Sequence, residues 1–393
     1  MVAGADDIRH ARYDTARVAA LIREAPPEDP VFLFRPEALT RRAETFKRGF
    51  PGHVSYAVKA NPSTDVLDTL VRSGVTAFDV ASVAEMRAVR ECLPDARLHY
   101  HNPIRSAAEI AEAKSLHVAS WSVDRLSELD KLGALPPTTQ IAVRVTLNRG
   151  GAAYDFGTKF GAGPDMAVAL LKDVSARGLS LALTFHPGTQ CTDPHAWTDY
   201  IAACALIARQ ARFRLAALNV GGGFPSREAA EGPVLAPIFD AIRSAIATHF
   251  PDDPPTLWCE PGRAMVADAA WLLLRVKARC GHILYLNDGL YGALGEWRDM
   301  PVPGQRSTFG PQGVERGGNP QPFTIFGPTC DSLDRVPGTW ELPSDIAEGD
   351  HILIRAAGAY STALVTAFNG YGTRQQIDLR TVKGGTGQGR LAG

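Results

Sequence analysis

Several things are scarce in this 393-residue chain, and each scarcity closes off a class of function. There are six cysteines, Cys92, Cys191, Cys204, Cys259, Cys280 and Cys330, and no two form a Cys-x-x-Cys pair. That spacing argues against a zinc site or a disulfide framework and suits reduced thiols. Long apolar runs are missing: the most apolar stretch, 270–276, is far too short to span a bilayer. The first 26 residues mix Asp, Arg and Glu with no apolar segment of the signal-peptide kind, so a cytoplasmic location is expected. Net charge is also small. With 41 basic against 42 acidic residues, formally −1, no global field favours nucleic acid or an anionic membrane.

What remains is an ordinary globular composition, 45% hydrophobic and 21% charged, long enough to bury sizeable cores without metal or disulfide staples. From about residue 30 to 265 a short β-rich run, a turn and a helix-like stretch recur about eight times. Strands are expected at 31–34, 53–58, 77–80, 98–100, 119–123, 141–146, 181–185, 217–220 and 256–259. Helices are expected at 36–50, 63–73, 82–92, 164–177 and 194–211. Alternating units predict a parallel sheet, and about eight repeats predict a closed (β/α)8 TIM barrel. Beyond 266 the pattern changes to strand-like runs at 269–279, 282–287, 322–326 and 351–355, separated by Gly- and Pro-rich turns. We therefore expect an α/β chain with a barrel over 30–265 and a second, mostly antiparallel β-domain formed by 1–29 with 266–393. The Gly/Pro/Gln-rich stretch 300–320 reads as a long surface loop.

The polar residues with chemical potential fall at the C-terminal ends of the expected barrel strands, where a barrel gathers its active site. Lys59, in Tyr56-Ala57-Val58-Lys59-Ala60-Asn61, ends a buried strand. Burial lowers a lysine pKa, and a partly neutral amine attacks aldehydes; the plain alternative is a strand-end lysine reaching water. Asn219-Val220-Gly221-Gly222-Gly223-Phe224-Pro225 places three glycines after a strand, where backbone N–H groups close around a phosphate or simply form a tight turn. Cys259-Glu260-Pro261-Gly262-Arg263 offers a carboxylate for a protonated ring nitrogen and an arginine for a phosphate, or else an internal ion pair. In Phe185-His186-Pro187-Gly188-Thr189, His186 suits stacking on an aromatic ring and Thr189 a phosphate, although a lone histidine is more often a satisfied core residue. The β-domain adds Gly327-Pro328-Thr329-Cys330-Asp331-Ser332 and Gly358-Ala359-Tyr360-Ser361, which read equally as a buried cysteine and a core tyrosine.

The order and spacing of these motifs, together with Phe78-Asp79-Val80-Ala81-Ser82, resemble the fold-type III pyridoxal-phosphate decarboxylases, the ornithine, lysine and diaminopimelate decarboxylase family. The resemblance runs from about residue 30 to 372 and comes nearest to the ornithine decarboxylase group. It implies an alanine racemase-like barrel plus β-domain and a homodimer whose active sites are shared between subunits. It implies pyridoxal 5'-phosphate as cofactor and no metal. By this resemblance Lys59 is the Schiff-base lysine, His186 stacks on the ring and Glu260 partners the pyridine nitrogen. Gly221, Gly222, Gly223, Thr189, Gly262, Arg263 and Tyr360 hold the phosphate, and Asp79, Glu85 and Arg144 are charged neighbours of the cofactor. Cys330 returns a proton after CO2 leaves, and Asp331 reads the distal amine of a diamino acid.

The implied activity is decarboxylation of an L-amino acid such as ornithine or lysine, giving a polyamine precursor and CO2. A specificity segment follows Asp288-Gly289-Leu290-Tyr291-Gly292, with Glu296, Arg298 and Asp299 as substrate-reading candidates beside Tyr291. Carboxylates there favour a cationic side chain. Arg298 instead suits a carboxylate-bearing or acylated diamino acid of a secondary-metabolite pathway, siderophore synthesis for example. A regulatory homologue that has lost its chemistry is the alternative of a different class.

Overall fold

A computed structural model describes residues 5–147, 159–226, 235–300 and 306–383. The chain divides into two units, one comprising Met1–Ala38 and Val266–Gly393 and the other Leu39–Met265. The first strand, β1 (Val31–Phe34), pairs antiparallel with β10 (Ala270–Cys280), not with a barrel strand. The expected barrel segment 30–265 includes 31–34, which belongs instead to the sheet of the other unit. All four of its residues are buried, as a barrel strand's would be, and only pairing separates the two assignments.

The 39–265 unit is a closed parallel barrel of eight strands. These are β2 (His53–Ala57), β3 (Ala77–Val80), β4 (Arg97–Tyr100), β5 (Ser120–Val123), β6 (Gln140–Arg144), β7 (Ser180–Thr184), β8 (Ala217–Asn219) and β9 (Thr256–Cys259). Closure is direct: His53 and Val54 of β2 register with Trp258 and Cys259 of β9. Helix starts follow local rules. Ser106 and Glu109 form a reciprocal capping box at Ala107–Ser115, and Pro164 opens Pro164–Ala176, where its missing N–H costs nothing. Inside the barrel, Ala77, Ala142, Ala182 and Ala217 surround Trp258, four small side chains making room for one large one.

The other unit is a mostly antiparallel sheet in the order β12 (Arg306–Phe309), β15 (His351–Ile354), β10, β11 (Ile283–Leu286), β13 (Pro320–Phe326) and β14 (Trp340–Pro343). A strand at Gln376–Asp378, β16, runs parallel to β1. Apolar residues lie on both faces: Leu272, Leu274, Trp297 and Phe323 belong to one cluster, and Val18, Ile22, Leu33 and Trp271 to another. The expected loop at 300–320 is corrected in part. Arg306–Phe309 is a strand paired antiparallel with β15, its Gly/Pro flanks having masked a short β-run, while 301–305 lie outside the described residues. No helix among the described residues is long and apolar enough to cross a membrane.

Candidate active site

Barrel strands deliver side chains to the mouth by their period of two, so residues at or just past each strand end share a layer. Lys59 follows β2 on a short helical turn; its side chain is exposed while Val58 and Ala60 beside it are buried. Its charge acts on Asp79, Glu85, His186 and Glu260, which come from four other places along the barrel. Glu85 is positioned by a helix start. The Ser82 hydroxyl accepts from the Glu85 N–H at 3.3 Å, and the Glu85 carboxylate accepts from the Ala81 N–H at 2.7 Å.

Burial and mutual repulsion with Glu260 raise the Asp79 carboxyl to about 7. Burial alone would raise Glu260 as well. The charge and hydrogen bond of His101, helped by Lys59, outweigh it and hold Glu260 below the usual carboxylate range. His186 is pushed down to about 3 by burial and by the positive charges of Lys59 and Arg144, so its imidazole is neutral at working pH. The Arg144 guanidinium lies 5.3 Å from the centre of the Phe160 ring and interacts electrostatically with Glu260, Asp79 and Asp124.

The glycine loop after β8 is shaped by crowding. Gly221 has φ +68°, and a Cβ there would lie 2.0 Å from the Phe185 carbonyl oxygen. A Cβ on Gly222 would lie 2.6 Å from the Glu260 carbonyl oxygen and 3.5 Å from His186 Nε2. The loop backbone is thus drawn against the histidine and the glutamate. Gly223 follows, and its carbonyl accepts from the Cys191 N–H at 2.9 Å. Thr189 sits on the turn after β7, where the Gly188 N–H donates to His186 Nδ1 at 3.1 Å. Gly262 precedes the short helix Arg263–Val266, whose first residue is Arg263. The barrel therefore brings together Lys59, Asp79, Glu85, Arg144, His186, the glycine loop and Glu260.

Four further groups escaped the sequence reading. Asn219 Nδ2 donates to Glu260 Oε1 at 2.5 Å, and the same oxygen is hydrogen-bonded to His101 Nδ1. His101 Nε2 meets Ser120 Oγ at 2.7 Å, and that hydroxyl meets His99 Nδ1 at 2.8 Å. A signal was present: His99 and His101 are two apart at the end of an expected strand, hence on one face. Ligand atoms of Asp79, His101 and Glu260 fall within 4.8 Å of one another, close enough for a cation. Lys59 and Arg144 already place positive charge beside these carboxylates, which disfavours one.

The β-domain candidates form a second cluster. The Cys330 thiol is exposed; the Asn369 side-chain oxygen accepts from its Sγ at 3.3 Å and from its backbone N–H at 3.2 Å. The Tyr291 hydroxyl donates to the Asp331 carboxylate. That bond and the Leu333 N–H keep Asp331 below the usual carboxylate range. Arg298, on the turn Gly295–Arg298 with Glu296, lies 6.0 Å from the Tyr291 ring centre, and Asp299 follows, exposed. Asp334, also unanticipated, ties the two loops together. Its carboxylate accepts from the Leu290 N–H at 2.7 Å and the Thr329 hydroxyl at 2.7 Å. Tyr360, half-buried, adopts φ +63° in the same unit.

Known proteins resemble this chain over most of its length. The pyridoxal-binding domain model of the pyridoxal-dependent decarboxylases matches residues 37–267. The lysine/ornithine decarboxylase of Selenomonas ruminantium is 30% identical over 375 residues, 93% of this chain and 92% of that one. The ornithine decarboxylase of Schizosaccharomyces pombe is 32% identical over 344 residues, 83% and 77% of the two chains. Among solved structures, the lysine/ornithine decarboxylase of Vibrio vulnificus complexed with putrescine superposes with a TM-score of 0.79 at 25% identity, covering 96% of this chain and 99% of that one. A lysine that acts electrostatically on three carboxylates and a neutral histidine, beside a glycine loop drawn in tightly, suits an aldehyde-bearing pyridine phosphate. The chain belongs to the pyridoxal-dependent decarboxylases, and its cofactor is pyridoxal phosphate.

Proposed function

We propose that the chain decarboxylates a free basic L-amino acid, ornithine or lysine, to the corresponding diamine and CO2. The observation that carries this reading is Asp331. It is a carboxylate held ionised by Tyr291 and Leu333, next in sequence to the Cys330 thiol, and so suited to a distal ammonium group. The names of the relatives point the same way.

Lys59 would hold the cofactor through its aldehyde carbon, and Gly221, Gly222, Gly223, Thr189, Gly262, Arg263 and Tyr360 would bind its phosphate. When bound, pyridoxal phosphate provides the sink for the electron pair left behind as CO2 departs. Neutral His186 would cover one ring face without adding a charge that opposes protonation of the ring nitrogen. Ionised Glu260 would accept a hydrogen bond from the ring N–H and so favour the protonated ring nitrogen. Asp79, Glu85 and Arg144 balance charge around Lys59. The Cys330 thiol returns a proton to the substrate carbon as general acid, contributed by the second subunit of a homodimer. The setting we infer is cytoplasmic polyamine synthesis.

A panel of free ornithine, free lysine, arginine and side-chain-acylated diamino acids, read as CO2 released, tests the substrate. Turnover is expected to be highest with a free diamine-forming substrate. Preference for the acylated compounds would shift the reading to Arg298, and silence across the panel would refute it.

A further inference from the structure

Hydrogen bonds link Glu260 to Asn219, His101, Ser120 and His99, and the direction of their protons determines what Glu260 does. Asn219 is pinned first: its side-chain oxygen accepts from the Gly221 N–H at 2.8 Å, so its amide nitrogen is the group facing Glu260 Oε1 at 2.5 Å. His101 Nδ1 meets that same oxygen. Beyond His101 lie the Ser120 hydroxyl, at 2.7 Å from Nε2, and His99 Nδ1, at 2.8 Å from the hydroxyl. All of these residues except Glu260 are buried.

A hydroxyl has one proton, so Ser120 donates to one histidine and accepts from the other. If protons pointed away from Glu260, the last of them would sit on His99 Nε2. That atom is buried and has no hydrogen-bond partner. An orphaned N–H costs more than an orphaned lone pair. The favoured arrangement runs from His99 to Ser120 to His101 and ends with His101 donating to Glu260.

We propose that His101 is a positioning residue for the cofactor ring: its directed hydrogen bond keeps Glu260 an acceptor, so that the ring nitrogen stays protonated. This rests on Glu260 being the ring-nitrogen partner, as proposed above. Both donors engage Oε1, and neither engages Oε2. The other charged or titratable groups acting on Glu260 are Asp79, Lys59, His99, Arg144, His186 and Cys259. Without His101, Asp79 and Glu260 share a proton, as two adjoining carboxylates do, and Glu260 loses its hold on the ring N–H.

The test is the 15N chemical shift of the ring nitrogen in protein reconstituted with 15N-labelled pyridoxal phosphate, alongside steady-state kinetics. The wild-type chain is expected to show a protonated ring nitrogen and Glu260→Gln an unprotonated one. His101→Ala is expected to move the shift toward the unprotonated position and lower kcat about tenfold, with KM within about twofold. His101→Gln, which restores an N–H donor, recovers most of both. Ser120→Ala interrupts the chain without touching Glu260 and should move the shift less, in the same direction. This variant keeps the test open if His101→Ala does not fold. A wild-type ring shift in every folded His101 and Ser120 variant overturns the proposal while leaving the role of Glu260 intact. A wild-type shift in Glu260→Gln removes the reading on which it rests.

Discussion

The barrel mouth and the Cys330–Asp331 loop cluster are built on opposite principles. At the mouth, charges are enclosed: Asp79 is buried, and Glu260 takes two hydrogen bonds on one oxygen. Burial is the leading influence on Asp79, Glu260 and His186, which leaves two carboxylates and an imidazole displaced in different directions. In the β-domain the working groups stay accessible. Cys330 is exposed, and Asp331 is lowered by hydrogen bonds from Tyr291 and Leu333, not by enclosure. The mouth is preorganised within one unit. The loop cluster is tied together by Asp334 and leaves its thiol exposed.

If that division holds, the greatest loss comes from the mouth. Lys59→Ala is expected to abolish the visible absorbance of bound cofactor and reduce CO2 release at least about 10³-fold. An unchanged spectrum and rate would falsify the assignment of the chemistry to the barrel. Cys330→Ala comes next: the spectrum stays as in the wild type, while amine product falls about 10²-fold. A spectrum altered as strongly as the rate would mean that the two regions are not separable. Mixing the Lys59→Ala and Cys330→Ala chains should recover about a quarter of wild-type activity if each site takes one residue from each subunit. No recovery argues that both come from one chain. Asp331→Asn is milder still, raising KM for a diamino acid about tenfold with little change in cofactor affinity. A KM unchanged for ornithine and lysine alike would move substrate reading to Glu296 or Asp299.

The smallest effect concerns stability. The folded pKa of His186, about 3, lies below its ordinary 6.5, so between those values the unfolded chain binds a proton that the folded one does not. The contribution of His186 is complete above about 6.5 and drains away as pH falls toward 3, on the order of 3 kcal/mol for a partly accessible ring. Melting of the cofactor-free protein from pH 7 to 4 should show this slope, and His186→Gln should flatten it. Some slope remains, because burial lowers His99 in the same direction. An unchanged slope in His186→Gln would show that the ring titrates as it does in water.

Much of this was legible in the sequence because strand ends announce themselves. A β-branched or aromatic run followed by Lys59, His186, Gly221 or Glu260 marks the mouth, and the β-domain follows from the loss of helical spacing after 266. Two kinds of information were not. Val31–Phe34 has the composition of a barrel strand, and only its pairing with Ala270–Leu273 assigns it to the other sheet. His99, His101, Ser120 and Asn219 lie on three- or four-residue strands or one residue past them, and their meeting depends on the stagger between strands, which no local pattern encodes. Asp334 is similar: it lies three residues past Asp331, yet its partners include Leu290, 44 positions away.

Trp258 precedes Glu260 by two residues and therefore faces inward one level deeper, among four alanines and 4.7 Å from the His99 ring. That indole fills the room that the four small side chains leave inside the barrel. Enlarging any of the four alanines would press on the indole and, through it, on the His99 ring that the indole meets.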